Sequence, residues 1–351
     1  MSKYPSDTFC AFPFIHLVTH NSGTYGPCCS ASEYFYVNAD GESKWTRQYE
    51  GDFLNEKVIP YGLGIEEAFH SKPMQELRTK LLNGEKPSTC DWCWLQEKHI
   101  LSKRQFGNIF YFSEEDVFKG IMDLSPEDIS SNPQLRSIDL KFSNKCNLHC
   151  LMCNSGSSDM WQALDHKIHD YLIKHNLKTD WIFLADQKQS ASTALIDKSE
   201  DWDLERHETS IFHGTDHLVH SRHLSADSFP QELYEEVKSL IPQLREIQCT
   251  GGEPFVSSQF VDLLKHAIET GHAEHIALEI TTNGTKFVTD IMDLLQHFRH
   301  VRFLISIDGT EGTYEYIRAP FRYSKLLERL HTLKDYTSSG KIKCFTQIPV
   351  V

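Results

Sequence analysis

The chain has 351 residues, room for two domains or for one barrel with an attachment. It is 40% hydrophobic and 24% charged with a net charge of −14, which argues against nucleic acid as a general partner, a local basic groove excepted. No stretch approaches the roughly 18 apolar residues that span a bilayer, and Met1 to Thr19 lacks the features of a signal peptide. These readings predict a cytoplasmic protein with no membrane partner, where disulfides do not account for ten cysteines. Eight of the ten fall into groups: Cys10, Cys28 with Cys29, Cys90 with Cys93, and the trio Cys146, Cys150 and Cys153. Clustered thiols in a reducing compartment point to metal.

In chain order, residues 1–115 form a cysteine-bearing N-terminal unit. Phe14 to Thr19, a turn at Asn21-Ser22-Gly23 and Thr24 to Cys29 predict a β-hairpin. Met74, Leu77 and Leu81 predict a helix with Pro73 in its first turn, ended by Gly84 and Pro87, while Ile65 to Phe69 is a separate helical turn. From about residue 136 strands alternate with helices. Strands are expected over Leu135–Phe142, Leu244–Cys249, Ile276–Ile280, Val301–Ile307 and Ile342–Val350. Helices are expected over Met160–Leu172, through Val261, Leu264 and Ile268, over Phe287–Phe298 and near Tyr323–Leu333. Repeated βα units predict a parallel sheet with right-handed crossovers and a site at the strand ends. The polar stretch at about 184–230 reads as a surface insertion over the barrel mouth or as a partly mobile loop.

Cys146-x3-Cys150-x2-Cys153 puts three thiolates on one short loop after the first of these strands. Three thiolates hold three corners of a [4Fe–4S] cluster and leave one iron open, whereas full ligation takes four. The alternative is zinc, with His149 as a further ligand.

The run from Cys146 to Cys153 resembles the signature of the radical S-adenosylmethionine (SAM) superfamily, and Gly251-Gly252-Glu253-Pro254 resembles its motif after the second strand. Asn283-Gly284 and Ser306-Ile307-Asp308-Gly309 follow in the expected order, so the resemblance covers about 136–351. It implies an α/β fold, a partial (β/α) barrel with about five of six units present. It also implies an enzyme in which the SAM amino and carboxylate groups chelate the open iron. One electron from a donor such as flavodoxin or ferredoxin then yields methionine and a 5′-deoxyadenosyl radical that removes a substrate hydrogen. Gly251 and Gly252 would let backbone approach the methionyl group, Glu253 would accept from its ammonium, and Asn283, Ser306, Asp308 and Arg318 would contact ribose or carboxylate. For those last four, turn or core chemistry is the competing reading. Many members carry an aromatic residue before the third cysteine; Met152 stands there in this chain.

The spacing from Cys10 through Gly23 to Cys28 resembles the opening of SPASM and twitch auxiliary-cluster domains, here placed before the core rather than after it. With Cys90 and Cys93 the resemblance implies a four-thiolate auxiliary [4Fe–4S] cluster in a small α+β twitch-like domain, and a zinc ribbon is the alternative. Asn83-Gly84-Glu85-Lys86-Pro87 and Ser102-Lys103-Arg104-Gln105 are similar to that family too. Cys29 reads as a neighbour and Cys249 as core. His213, His217, His220 and His223 read as a solvated cluster, and Trp94, Trp161 and Trp202 as packing. The resemblance implies a peptide or protein substrate first and a small molecule second. The competing class is a non-catalytic zinc or iron–sulfur protein with a structural or electron-transfer role. Ending on the fifth strand, the chain reads as one that continues beyond Val351.

Overall fold

A computed structural model of the chain describes residues 4–20, 22–47, 58–112, 125–153, 157–161, 167–168, 171, 174–175 and 229–347. The chain divides into two compact units, one comprising Met1–Gln48, Asn55–Leu140 and Pro230–Gln248, the other Tyr49–Leu54, Lys141–Phe229 and Cys249–Val351.

The first unit opens with a short helix, α1 (Phe12–Ile15), and continues into β1 (His16–Thr19). Pro13 lies in the first turn of α1, where its missing N–H costs nothing, so the strand starts two residues later than the apolar run suggests. β1 pairs antiparallel with β2 (Tyr25–Gly26), the expected hairpin, through a turn in which Gly23 takes φ +76°. β3 (Glu33–Asn38) pairs antiparallel with β2, with β4 (Ser43–Arg47) and with β5 (Val58–Ile59). α2 (Ile65–Phe69) and α3 (Lys72–Leu82) are separate, with Pro73 in the first turn of α3 and Met74, Leu77 and Leu81 buried along one face. α4 (Asp91–Gln96) and α5 (Lys103–Tyr111) follow. At the start of α5, Ser102 and Gln105 exchange hydrogen bonds with each other's backbone, a capping box that fixes where the helix begins. α6 (Pro126–Ser131) leads to β6 (Ser137–Leu140), which pairs parallel with β1 in the register His16 to Ser137. α7 (Gln231–Leu240) then leads to β7 (Glu246–Cys249), on the other side of β6.

The apolar core of this unit is built on Phe9, Phe12, Phe14, Leu77, Leu81 and Tyr111. A polar cluster is buried beside it. The hydroxyls of Tyr111 and Ser137 each donate to Glu246 Oε2 at 2.7 Å, and Gln248 Nε2 donates to the same oxygen at 3.1 Å. Burial holds His16 neutral by pushing its pKa down to about 3, and Ser137 has already given its proton to Glu246. His16 Nδ1 must therefore carry the hydrogen of its 2.6 Å contact with Ser137 Oγ.

The second unit alternates helix and strand: α8 (Ser258–Glu269), β8 (Ala277–Thr282), α9 (Thr289–Leu295), β9 (His300–Ile305), α10 (Glu311–Ile317), α11 (Tyr323–Ser338) and β10 (Cys344–Gln347). β8 pairs parallel with β9, and β9 parallel with β10, which ends the sheet without closing it. This open parallel sheet within a mixed α/β chain is the partial (β/α) barrel that the sequence predicts. α9 is shorter at both ends than expected, and α10 was not anticipated. Residues Asp159–Trp161 form one 3-10 turn. Most of the remaining helix expected over Met160–Leu172 lies outside the described residues, as does the insertion at 184–230 except for its last two. Among the described residues no helix is long and apolar enough to cross a membrane.

Tyr111→Phe removes one of three donors to a buried carboxylate and should cost about 1–2 kcal/mol. A urea melt checks this, with a lower midpoint and an unchanged slope expected.

Candidate functional site

The loop that follows β6 carries Cys146, Cys150 and Cys153, and backbone bonds hold it from several sides. Cys146 N–H donates to Asp159 Oδ1 and Asp159 N–H to Asn144 O, both at 2.9 Å. Cys153 N–H donates to Cys150 O at 2.9 Å, and Trp161 Nε1 donates to the same carbonyl at 3.0 Å. The end of α10 and the residues just beyond it contribute two further bonds: His149 N–H to Ala319 O and Leu151 N–H to Ile317 O, each 2.9 Å. Between those two acceptors stands Arg318. Its guanidinium pairs with Asp308 and places Nη1 3.5 Å from Cys150 Sγ.

Gly251 and Gly252 adopt φ +82° and +54°, a left-handed backbone that side chains rarely tolerate. The second glycine is also required by space, since a Cβ there would lie 2.3 Å from Lys145 O. That close approach lets Glu253 N–H donate to Lys145 O at 2.8 Å, fastening the glycine turn to the cysteine loop. The Glu253 carboxylate is buried and accepts from Thr282 Oγ1 at 2.7 Å and from Asn283 N–H at 2.8 Å. Burial pushes its pKa up to about 7, against the opposing pull of those two donors. Asn283 Nδ2 in turn donates to Asn147 Oδ1 at 3.0 Å and lies 3.8 Å from Cys146 Sγ. Asn147 Nδ2 donates to Thr285 Oγ1 at 2.8 Å, closing the ring of loops.

Six of the seven non-cysteine residues singled out from sequence therefore gather around the trio: Gly251, Gly252, Glu253, Asn283, Asp308 and Arg318. Ser306 takes part through its backbone, donating to Thr282 O at 2.9 Å. Burial pushes Cys146 up to about 11 and raises Cys150 also, where Arg318 pulls the other way. Loading a metal on these thiols would release their protons. The donor set fits an iron–sulfur cluster: three thiols on one loop, with amide and guanidinium N–H groups set against two of the sulfurs. The glycine turn and the buried Glu253 fit an amino-acid moiety beside it.

Sequence reasoning missed Asn147, Asp159, Thr285 and Tyr314. The first and third are bland turn residues in sequence, and only the contact between two loops reveals them. Tyr314 sits on α10 one turn before Arg318. Its fully buried hydroxyl has no hydrogen-bond partner among the described residues and lies in the field of Arg318, Cys150 and Asp308. No motif signalled it.

In the first unit, Cys10, Cys28, Cys90 and Cys93 line a single small recess, together with Arg104. Cys29 is exposed. Burial raises all four lining thiols, Cys10 to about 12, with neighbouring sulfurs adding to the shift at Cys10, Cys28 and Cys90. Among the described residues, no three His, Cys, Asp or Glu groups converge at the spacing of a single-ion site. Cys249 is buried in β7, as a core cysteine is expected to be.

Residues 140–351 match the Radical SAM superfamily. No curated protein matches the chain. Among solved structures, Streptococcus suis SuiB bound to S-adenosylmethionine is similar at 12% identity and a TM-score of 0.29, over 90% of this chain and 55% of that one. The chain thus spans about half the length of that structure, and a likeness at this level settles neither fold nor activity.

Gly252→Ala should destabilise the protein by about 2 kcal/mol or more, through backbone strain plus the clash with Lys145 O. Gly271→Ala is the control: φ is +75° but a Cβ there meets nothing within 4 Å, so strain alone should cost about 1 kcal/mol. Thermal unfolding ranks the two, and only Gly252→Ala should also lower the iron retained per chain.

Proposed function

The chain belongs to the radical SAM superfamily, and on that premise we propose that Cys146, Cys150 and Cys153 ligate a [4Fe–4S] cluster whose fourth iron takes SAM. The observation that carries the proposal is the fastening of the glycine turn to the cysteine loop, Glu253 N–H to Lys145 O, which sets a buried carboxylate beside the trio. When bound, the reduced cluster supplies the electron that cleaves SAM to methionine and a 5′-deoxyadenosyl radical.

This chain's own residues bind, orient and shield. Gly251 and Gly252 leave room for the methionyl backbone where a side chain would intrude. Glu253, held by Thr282 and Asn283, accepts from the SAM amino group. Arg318 offers N–H groups to the carboxylate while Asp308 fixes its orientation. The Tyr314 hydroxyl, buried and without a protein partner among the described residues, is a further donor on the same side. Asn283 and Arg318 also set N–H groups against the Cys146 and Cys150 sulfurs, where they would spread the charge of a reduced cluster.

The recess lined by Cys10, Cys28, Cys90 and Cys93 supports a second, fully ligated cluster. Four protein ligands leave no open iron, so its role would be electron transfer. The finer reading is an auxiliary domain of the twitch type placed ahead of the catalytic core, and a peptide or protein as hydrogen donor.

Anaerobic reconstitution with iron and sulfide, followed by dithionite and SAM, tests the reading. The wild type should form 5′-deoxyadenosine and hold about eight irons per chain, the sum of two four-iron clusters. Cys150→Ala should abolish the product, whereas Cys10→Ala with Cys93→Ala should halve the iron. An intact cluster at the trio with no 5′-deoxyadenosine contradicts the proposal. Glu253→Gln should weaken SAM binding roughly 10–100-fold, the worth of a charge-assisted hydrogen bond. Because burial holds the Glu253 pKa near 7, wild-type affinity should rise between pH 6 and pH 8 as the carboxylate ionises. The variant should lack that rise, and equilibrium binding across this range checks it.

A further inference from the structure

Arg104 is a buried cation that the catalytic reading leaves without a role. It lies on α5 and lines the same recess as Cys10, Cys28, Cys90 and Cys93. Its Nε and Nη2 take the two carboxylate oxygens of Glu97 at 2.8 and 3.0 Å, a bidentate pair. Its Nη1 donates to Phe9 O at 2.8 Å and to Asp7 O at 3.2 Å. The guanidinium also lies 5.1 Å from the centre of the Trp94 ring.

Those partners are distributed in a telling way. Phe9 immediately precedes Cys10. Glu97 caps α4, and its N–H donates to Cys93 O at 2.9 Å. Trp94 immediately follows Cys93. One side chain thus fastens the segment bearing Cys10 to the helix bearing Cys93, two ligand segments separated by more than eighty residues of sequence. The Arg104 backbone N–H is also directed at the Cys93 sulfur. Five donors in a planar fork make this possible, and no other cation supplies them.

A cluster held by four thiolates is a polyanion that gains another negative charge on reduction. Its potential responds to nearby charge, hydrogen bonds to sulfur and burial. Both Glu97 carboxylate oxygens accept from the Arg104 guanidinium, and Ser102 Oγ donates to Oε1 at 2.7 Å. Removing the guanidinium would therefore leave an uncompensated carboxylate beside the recess.

We propose that Arg104 is the positioning residue of the four-thiolate recess, clamping the Cys10 and Cys93 segments together and supplying the buried positive charge that eases reduction of a cluster held there. This rests on the auxiliary-cluster reading above.

The test uses the full chain, reconstituted anaerobically, with iron and sulfide content and an EPR-monitored redox titration as readouts. Arg104→Gln should retain both clusters and make reduction of the auxiliary cluster at least tenfold less favourable, about 59 mV more negative for one electron. The cluster at Cys146, Cys150 and Cys153 should keep its midpoint. Arg104→Lys, which keeps the charge and loses the fork, should shift the auxiliary midpoint by less than half as much. Adding Glu97→Gln to Arg104→Gln should restore most of the shift. A fully loaded Arg104→Gln protein with an unchanged midpoint overturns the proposal, as does an equal shift in Arg104→Lys. Should Arg104→Gln lose the auxiliary cluster, Arg104→Lys decides: a loaded protein near the wild-type midpoint supports the proposal, and a tenfold or larger shift overturns it. Wild type holding about four irons, unaffected by Cys10→Ala with Cys93→Ala, defeats the auxiliary-cluster reading itself and is distinguishable from both.

Discussion

The candidate site depends on one close approach of backbone to backbone, where Gly252 passes the carbonyl of Lys145. No residue with a Cβ fits there, and the left-handed conformation excludes most of them independently. From that contact the rest follows in order. Glu253 N–H reaches Lys145 O, the Glu253 carboxylate is carried into the interior, and Thr282 and Asn283 satisfy it there. Asn283 then reaches back to Asn147 and Cys146. Three loops that are far apart in sequence are joined through one glycine and one carboxylate.

Burying a carboxylate this thoroughly is costly unless its oxygens are satisfied, and burial outweighs the Asn283 and Phe255 N–H groups, the Thr282 hydroxyl and the Lys286 charge, which leaves its pKa near 7. The Tyr314 hydroxyl nearby is buried without a hydrogen-bond partner among the described residues. Arg104 is the contrasting case, a buried charge whose fork is filled by Glu97 and two carbonyls, so its function is to hold segments in place and to set charge.

Much of this was legible from the residues. Cysteine spacing, the glycine pair and the Asn-Gly and Asp-Gly turns after successive strands located the site, because each depends on local backbone chemistry that the sequence states directly. The β10 strand and the helices containing Leu77 or Leu264 were legible through hydrophobic period. Other features were not. The strand begins at His16 rather than Phe14 because Pro13 starts a turn of helix, and an apolar run has no period to show it. Asn147 and Thr285 meet only when two loops are brought together, and α10 is a seven-residue helix with only Tyr314 buried, too little apolar period to show. Arg104 stands in a segment that resembles the twitch family, but the sequence gives it no partners. Its partners lie up to 97 positions away, beyond the reach of local pattern.

The central claim is that three thiolates leave one iron of the cluster open to SAM. It is tested most directly by EPR of the reduced, reconstituted protein recorded with and without SAM, in a variant lacking Cys10, Cys28, Cys90 and Cys93 so that a single cluster is observed. The account predicts that SAM shifts the cluster's g-values, and that SAM labelled on the amino nitrogen or carboxylate shows hyperfine coupling to the iron. A reduced four-iron signal that is unchanged by saturating SAM would contradict it.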